Sequence, residues 1–328
     1  MRLSKLLKNS ALELARLLML VIGVLLMTFM LLSISPIDPL LYYMGDSLLS
    51  VSSAHAAEMA TQLGLDESMW RRFLHWFTRL MQGDAGYSIS QQQPVVDVFA
   101  QRVPLSLRLM VMGWLGAVIL GYGLGIVAAF YQSRFFDRMI QMLCWVSASA
   151  PAFWIAILAL SLFSVSWQIT PVCCAAPLGV SPASLSWFQQ LPYLILPAGV
   201  LAITNMSHIA IHTRERALQV LGSDHVAYAR MHGKQGWYIY RHHILRNTLT
   251  PALVLHFAGV AELLGGSVLV ESVFNFPGIG QSLVMAGLNG DLALLMAITL
   301  LSLMLVFIGN GLGRLTSLSL LPEGRNHV

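Results

Sequence analysis

The sequence predicts an all-α membrane protein that crosses the bilayer six times. The chain has 328 residues, of which 56% are apolar and only 10% are charged, and its mean hydropathy is +0.69. A soluble domain carries about a quarter charged residues, so the composition excludes a soluble globule as well as a disordered or collagen-like chain. The net charge of +4 is small and scattered, which argues against nucleic acid as a partner.

Six apolar stretches account for the predicted helices, because a bilayer-spanning helix needs roughly 20 consecutive apolar residues. No Asp, Glu, Lys or Arg occurs between Arg138 and Arg214, and a cluster of prolines divides that long segment into two spans. The fifth stretch contains a single acid, Glu262. The six predicted spans are 17–37, 109–133, 139–168, 192–211, 249–270 and 292–313.

The distribution of Lys and Arg predicts that both termini are cytoplasmic. With that orientation the inner segments hold 14 of the 19 Lys and Arg residues, whereas the outer segments hold five, together with eight acids. Such an excess of positive charge marks the cytoplasmic side of a membrane protein. The predicted inner segments are 1–16, 132–138, 212–248 and 314–328.

The spans divide the chain into four parts. Residues 1–37 form the cytoplasmic N-terminus and the first membrane helix, and 38–104 form an outer, periplasmic region. Residues 105–316 contain membrane helices 2–6, and 317–328 form a cytoplasmic tail. In the outer region Trp70, Phe73, Leu74 and Phe77 share one face of a predicted amphipathic helix, which would lie on the membrane or against another subunit.

The cytoplasmic segment 212–248 predicts two short helices that form a rigid knob. Asp224 is placed to cap the first helix through its free amide groups, and Gly233 is placed where a left-handed turn would end it. A second helix then continues into the fifth span. Ala227 and Ala229 are small enough to let the backbone of a partner approach closely.

This segment resembles the coupling motif of the membrane subunits of bacterial ABC transporters, in particular the dipeptide/oligopeptide/nickel permease family. The matching positions are Asp224, Ala229, Arg230, Gly233, His243, Asn247 and Pro251. Further stretches that resemble the family are 63–66, 83–88, 196–199 and 266–280, and the similarity extends from about residue 12 to 316. The chain departs from the family at Pro36–Pro39 and, near its end, at 311–314 and 321–325.

The resemblance implies an ABC importer type I permease fold in the bacterial inner membrane. Its implied partners are a second permease subunit in a heterodimer, two cytoplasmic ATP-binding subunits that grip the coupling segment, a periplasmic substrate-binding protein and membrane lipid. No Gly-x-x-x-x-Gly-Lys-Ser/Thr phosphate loop occurs in the sequence. We therefore expect no cofactor and no enzymatic activity in this chain, with ATP and Mg bound by the partner ATPase.

The resemblance leaves the cargo open between short peptides and nickel or a nickel chelate. Residues 243–247 and 259–266 are closer to the nickel-type branch and favour nickel weakly. The alternative function is a secondary transporter or channel driven by an ion gradient, for which inverted repeats and paired broken helices would be expected.

Two acids, Glu262 inside the fifth span and Glu271 at its outer end, are candidates for the translocation path. A carboxylate inside a membrane is costly, so Glu262 either lines the path or makes a packing contact between helices. Glu271 either lines the path or orders the turn formed by residues 274–280. His208 and His212 share a helical face, but they lack a third ligand in the sequence, so we predict no metal site.

The remaining predictions concern glycines and cysteines. Gly121, Gly123 and Gly125 lie in the second span, where glycines favour close helix packing. The three cysteines, Cys144, Cys173 and Cys174, are expected to be unpaired apolar residues, the alternative being a metal bound by the adjacent pair.

Overall fold

The computed structural model describes residues 2–35, 68–177 and 179–320, and this part of the chain is almost entirely helical. The helices are α1 (Arg2–Ile34), α2 (Met69–Met81), α3 (Val95–Phe130), α4 (Phe135–Ser149), α5 (Ala152–Ala159), α6 (Trp187–Leu221), α7 (Asp224–Met231), α8 (Trp237–Ile239), α9 (Leu245–Ala258), α10 (Val260–Val273), α11 (Ile279–Leu288) and α12 (Leu292–Leu320). Helix α5 continues as a π-helix, Leu160–Ser166, and a π-helical turn, Tyr240–Ile244, joins α8 to α9; Pro182–Ser184 form a 3-10 turn. Strands β1 (Tyr87–Ser88) and β2 (Gln93–Pro94) pair in an antiparallel hairpin.

The membrane-spanning helices agree with the predicted fold class. Within the described residues, four helices are long and apolar enough to cross a bilayer: Arg16–Ile34, Val95–Phe130, Trp187–Leu221 and Leu292–Ser317. Two bent helix pairs pass the same test, so the count is six when each pair is taken as one crossing. Large apolar side chains such as Met19, Ile119 and Ile308 are exposed on these helices, as expected for faces in contact with lipid.

The span predicted over 139–168 is not one straight helix, because the chain bends by 109° between α4 and α5. Helix α4 ends at Ser149, Ala150 is extended, and α5 starts directly after Pro151. Proline has no N–H and disfavours helical geometry in the residue before it, which explains the position of the break. A second bend, of 56°, occurs at Gly259 between α9 and α10.

The described residues fall into two compact units, drawn from Met1–Val103 with Ser282–Met304 and from Pro104–Gln281 with Leu305–Val328. In the first unit, Leu25 and Phe29 of α1 pack with Phe73 and Trp76 of α2 and with Met296. This cluster includes Phe73 and, at its edge, Phe77 of the predicted apolar face. Trp70 and Leu74, predicted to share the apolar face, are 55% and 58% exposed.

The hairpin of the first unit is held by a buried carboxylate. Asp291, which precedes α12, accepts hydrogen bonds from the hydroxyl of Ser88 at 2.6 Å and from the backbone N–H and hydroxyl of Ser90 at 2.9 and 2.8 Å. Nearby, Arg79 donates to the exposed Asp84 at 2.6 Å, and this contact holds the pKa of Asp84 below its usual range. The predicted motif 63–66, most of the predicted outer region before it, and the tail beyond residue 320 lie outside the described residues.

In the second unit, glycines bring α3 and α6 into close contact. A Cβ atom on Gly121 would lie 2.6 Å from the carbonyl oxygen of Met206, and one on Gly125 would lie 2.6 Å from that of Ala210. This confirms close packing at two of the three predicted glycines, whereas Gly123 faces open space. Small residues at such contacts let helix backbones approach each other.

A buried ion pair joins α4 to α6 in the same unit. Arg214 donates two hydrogen bonds to Asp137, at 2.7 and 2.8 Å. The Asp137 side chain is 1% exposed and also accepts from the backbone N–H of Ser133 and the amide of Gln141, each at 2.8 Å. This arrangement fixes the start of α4 against the part of α6 that leads into the 212–248 segment.

Candidate functional site

The predicted knob consists of a short helix with a sharp end. Helix α6 runs to Leu221, and after two residues the chain turns into α7. Gly233 has φ +74°, its N–H bonds the carbonyl of Arg230 at 2.9 Å, and the N–H of Lys234 bonds the carbonyl of Ala229 at 3.1 Å. These two bonds form a Schellman motif, so Gly233 ends the helix as predicted.

The start of α7 differs from the prediction. Ser223 is the N-cap residue and Asp224 is the first helical residue, so the predicted cap by Asp224 is wrong. Asp224 nevertheless lies in the first turn, where the helix dipole favours a negative charge. The sequence Ser-Asp contains two residues that are both suited to capping, and local pattern alone does not choose between them.

One side of α7 packs onto its own chain. Val226 is fully buried in a cluster with Ile126, Ala217, Ile239 and Ile244, which come from α3, α6 and the helical run after α7. Ala229 is only 8% exposed. The expectation that Ala229 admits a partner's backbone is therefore wrong, because this residue faces the chain's own core.

The other predicted coupling residues lie toward the outside of the segment. Asp224, Ala227, Arg230, Gly233 and Asn247 are exposed, and His243 and Pro251 are half-buried. The His243 ring lies 5.4 Å from that of His225 on α7 and 6.3 Å from that of Tyr238. Asn247 donates to the carbonyl of His243 at 2.7 Å within its own helix. A contact between the rings of His225 and His243 thus links α7 to the π-helical turn Tyr240–Ile244.

Three exposed apolar side chains on this segment were missed in the sequence interpretation. Tyr228, Met231 and Trp237 are 62%, 77% and 71% exposed. They lie in a segment predicted to be in the cytoplasm, where exposed large apolar side chains are candidates for contact with another protein. The sequence alone does not separate these three residues from apolar residues of the same segment that are buried, such as Val226 and Ile239.

Polar side chains follow one face of α6 toward this segment. They are Asn205, His208, His212, Glu215 and Gln219, at alternating intervals of three and four residues. We call this set the polar stripe. All members except the half-buried Asn205 are exposed.

Glu262 of α10 lies beside the polar stripe. Its carboxylate is 4.0 Å from the ring of His208, and both side chains are more than half exposed. Asn205, His208, His212 and Glu262 line a cavity of about 270 Å³ together with Trp114 and His256. Within the described residues no three His, Cys, Asp or Glu side chains are arranged to hold a metal ion.

Glu271, the second acid, is fully buried in a different environment. Its carboxylate accepts a hydrogen bond from Ser106 at 2.6 Å and from the backbone N–H of Gly280 at 2.6 Å. Ser106 in turn accepts from the N–H of Ile279 at 2.7 Å. Glu271 therefore accepts hydrogen bonds from the start of α11. This is the arrangement expected if Glu271 orders the turn formed by residues 274–280 rather than lining the path.

Comparison with known proteins supports a single family. The family model described as the binding-protein-dependent transport system inner membrane component matches residues 121–318. A Brucella abortus protein whose name assigns it provisionally as a peptide transport system permease is 33% identical over 84% of both chains.

Two further relatives carry more specific names. The dipeptide transport system permease protein DppB of Escherichia coli is 30% identical over 80% of this chain and 82% of its own length. The oligopeptide transport system permease protein AppB of Bacillus subtilis is 28% identical over 88% and 90%. The chain therefore belongs to the family of binding-protein-dependent transport system inner membrane components, as an ABC permease of the peptide type that crosses the membrane several times.

Proposed function

We propose that this chain is the permease subunit of an ATP-driven importer of short peptides, and that segment 212–248 couples it to cytoplasmic ATP-binding subunits. The coupling role rests on the rigid knob formed by α7 and α8: Val226 is buried beneath it, and Tyr228, Met231 and Trp237 are exposed on it. A knob of this kind transmits force, because its orientation is fixed by the packing beneath it. ATP hydrolysis is then the task of the partner subunits.

The proposed assembly follows from the family. It contains two ATP-binding subunits, a second permease subunit in a heterodimer and a substrate-binding protein on the outer side, with both termini of this chain in the cytoplasm. Closure of the ATP-binding subunits would swing the two permeases between inward-facing and outward-facing states, as a rigid-body switch. Asp224, Ala227, Arg230, Gly233, His243 and Asn247 are proposed to contribute to the contact with the ATP-binding subunits, with Pro251 in the helix behind them.

The proposed cargo is a short peptide rather than nickel. The relatives described above are named for peptide, dipeptide and oligopeptide transport, and none of these names supports the weak preference for nickel derived from residues 243–247 and 259–266. A path for peptides requires polar groups that face water inside the membrane.

We propose that Glu262 and the polar stripe form one wall of the translocation path, which the second permease subunit would complete. Three features support this: the exposed carboxylate next to His208, the cavity of about 270 Å³, and the continuation of the stripe toward the coupling segment. An intramembrane carboxylate exposed at the surface of one subunit would be costly against lipid. Glu271 is assigned to the α11 turn instead, because its carboxylate is already occupied by hydrogen bonds.

The coupling role is tested by replacing Trp237 with Asp and purifying the tagged chain with its partners in mild detergent. We expect Trp237→Asp to reach the membrane at normal levels but to lose the ATP-binding subunits, because a charge replaces an apolar contact. Trp70→Asp is the matched control, since Trp70 is also an exposed tryptophan but lies in the predicted outer region. Equal recovery of ATP-binding subunits with both variants would contradict the coupling assignment.

A further inference from the structure

Cys173 and Cys174 form a disulfide between adjacent residues, which corrects the expectation that both are unpaired. Cys144, by contrast, is free and buried. The pair lies in the segment between the π-helix that ends at Ser166 and α6, on the predicted outer side of the membrane. A disulfide between neighbours closes a small ring that contains their shared peptide unit, and Cys174 has a left-handed backbone with φ +75°. Side chains other than glycine rarely adopt that conformation.

The disulfide ring is attached to the end of α10. The backbone N–H of Cys174 donates to the carbonyl of Phe274 at 3.1 Å. The next residue, Ala175, is 2% exposed and belongs to the same buried cluster as Phe274 and Phe276. The conformation of the ring therefore determines how the segment that contains it packs on the turn after α10.

The same turn is attached to the buried Glu271. The N–H of Phe276 donates to the carbonyl of Glu271 at 2.8 Å, and the Glu271 carboxylate holds the N–H of Gly280. A change in the backbone conformation of Cys174 would therefore affect the turn after α10, whose other end is held at the start of α11 by Glu271. Just before the ring in the sequence, the hydroxyl of Ser164 lies 2.9 Å from that of Thr170 and donates to the carbonyl of Pro171 at 3.1 Å. The two cysteines themselves are half-buried.

We propose that Cys173 and Cys174 form a thiol-redox site whose oxidised form locks this segment onto the α10–α11 turn. The bacterial periplasm is oxidising, so the disulfide is the resting form there. The co-reactant is a small dithiol. One of its thiolates attacks a cysteine sulfur and forms a mixed disulfide, while the other cysteine sulfur leaves as a thiolate and takes up a proton. The second thiol of the reductant then displaces the first cysteine, which yields two cysteine thiols and a cyclic oxidised reductant.

Opening the ring removes the covalent restraint on Cys174. Its backbone is then free to leave the left-handed conformation, and the hydrogen bond from Cys174 to Phe274 weakens. Ala175 loses its fixed position against Phe274 as a consequence. The reduced form is therefore expected to exchange backbone amide protons faster at Cys174 and in the turn that follows α10.

The first test counts thiols on the full chain purified from native membranes with its partners. The protein is denatured in excess maleimide, with or without prior treatment with dithiothreitol, and the adducts are counted by mass spectrometry. We expect one adduct without reduction, on Cys144, and two additional adducts after reduction. Three adducts without reduction would overturn the proposal, because the pair would then be unoxidised in its own compartment.

The second test measures the coupling between the ring and the turn by hydrogen–deuterium exchange of the same complex. Reduction by dithiothreitol should speed exchange about tenfold or more at Cys174 and in residues 274–280. The double variant Cys173→Ala, Cys174→Ala should exchange equally with and without dithiothreitol. Unchanged exchange in the parent protein, or an equal response in the double variant, would overturn the proposal. Neither readout depends on the cargo or on ATP.

Discussion

Asp137 and Arg214 form a buried ion pair. Where water is excluded, the free energy of a buried charge depends strongly on its partner. The Asp137 side chain is 1% exposed, and its carboxylate accepts four hydrogen bonds from Arg214, Ser133 and Gln141. Each partner compensates for part of the cost of removing the charge from water. Removing the charge of Asp137 leaves the guanidinium of Arg214 without its hydrogen-bonded carboxylate.

We predict that Asp137→Asn lowers the free energy of unfolding by about 3–5 kcal/mol, as for other broken buried pairs. The exposed pair of Arg79 and Asp84 is the control, because its two side chains are 56% and 52% exposed. Asp84→Asn should cost less than about 1 kcal/mol, since surface pairs contribute little. Thermal unfolding of both variants in the same detergent checks this, and similar losses in the two would contradict the importance of burial at Asp137.

Glu262 provides a prediction about transport at the residue scale. If Glu262 lines the path next to His208, Glu262→Gln should reduce uptake of a cationic dipeptide several-fold more than uptake of a neutral one. The reason is that the exposed carboxylate attracts positive charge, whereas the amide does not. Radiolabelled uptake of lysyl and alanyl dipeptides measures the ratio. An equal effect on both peptides, or no effect, would favour a packing contact between helices.

Individual residues on the coupling segment could be predicted only in part from the sequence. Gly233 was correctly placed at the helix end, because a left-handed stop favours a residue without a Cβ. Ala229 was placed incorrectly, because a small residue is equally suited to the close approach of a partner and to burial against its own chain. The choice depends on which face of α7 meets Val226 and its neighbours, and that is a tertiary contact.

At the scale of elements, the contact between α3 and α6 depends on glycines at two points. Gly121→Ala would place a methyl group 2.6 Å from the Met206 carbonyl oxygen and 2.8 Å from the Cβ of Ile209. Neither atom can move without displacing α6. Gly123, two residues away on the same helix, has no neighbouring atom within 4 Å.

We predict that Gly121→Ala destabilises the protein by about 1–3 kcal/mol through overpacking. Gly123→Ala should not destabilise the protein, because it adds a methyl group to open space and alanine favours a helix over glycine. The two variants share the same helix and the same substitution, so helix propensity cancels in the comparison. Equal thermal stability of the two proteins in detergent would disprove the close contact at Gly121.

The sequence predicted the elements well and their bends poorly. Apolar length and the absence of charge located the spans, because lipid imposes both requirements. The 109° bend at Pro151 had a visible signal in the proline, but its angle depends on how α5 packs. Which residues of α2 are buried within the chain also depends on packing: Phe73 and Trp76 lie in one cluster with Phe29 and Met296, whereas Trp70 and Leu74 are exposed.

At the scale of the whole molecule, the order and spacing of several weak motifs identified the family correctly. No single motif identifies the family by itself. The family match over residues 121–318 and the relatives at 28–33% identity agree with the combined pattern. The cargo could not be obtained in the same way. Selective contacts with cargo involve few residues, and stretches such as 259–266 are also constrained by helix packing.

The central claim is that ATP hydrolysis by partner subunits drives transport through this chain. Its most direct test is uptake of a radiolabelled dipeptide by proteoliposomes that contain the purified assembly and the substrate-binding protein. We predict uptake that requires hydrolysable ATP, is lost in Trp237→Asp and is insensitive to a protonophore. Uptake by this chain alone, independent of ATP and abolished by the protonophore, would contradict the claim and establish a secondary transporter.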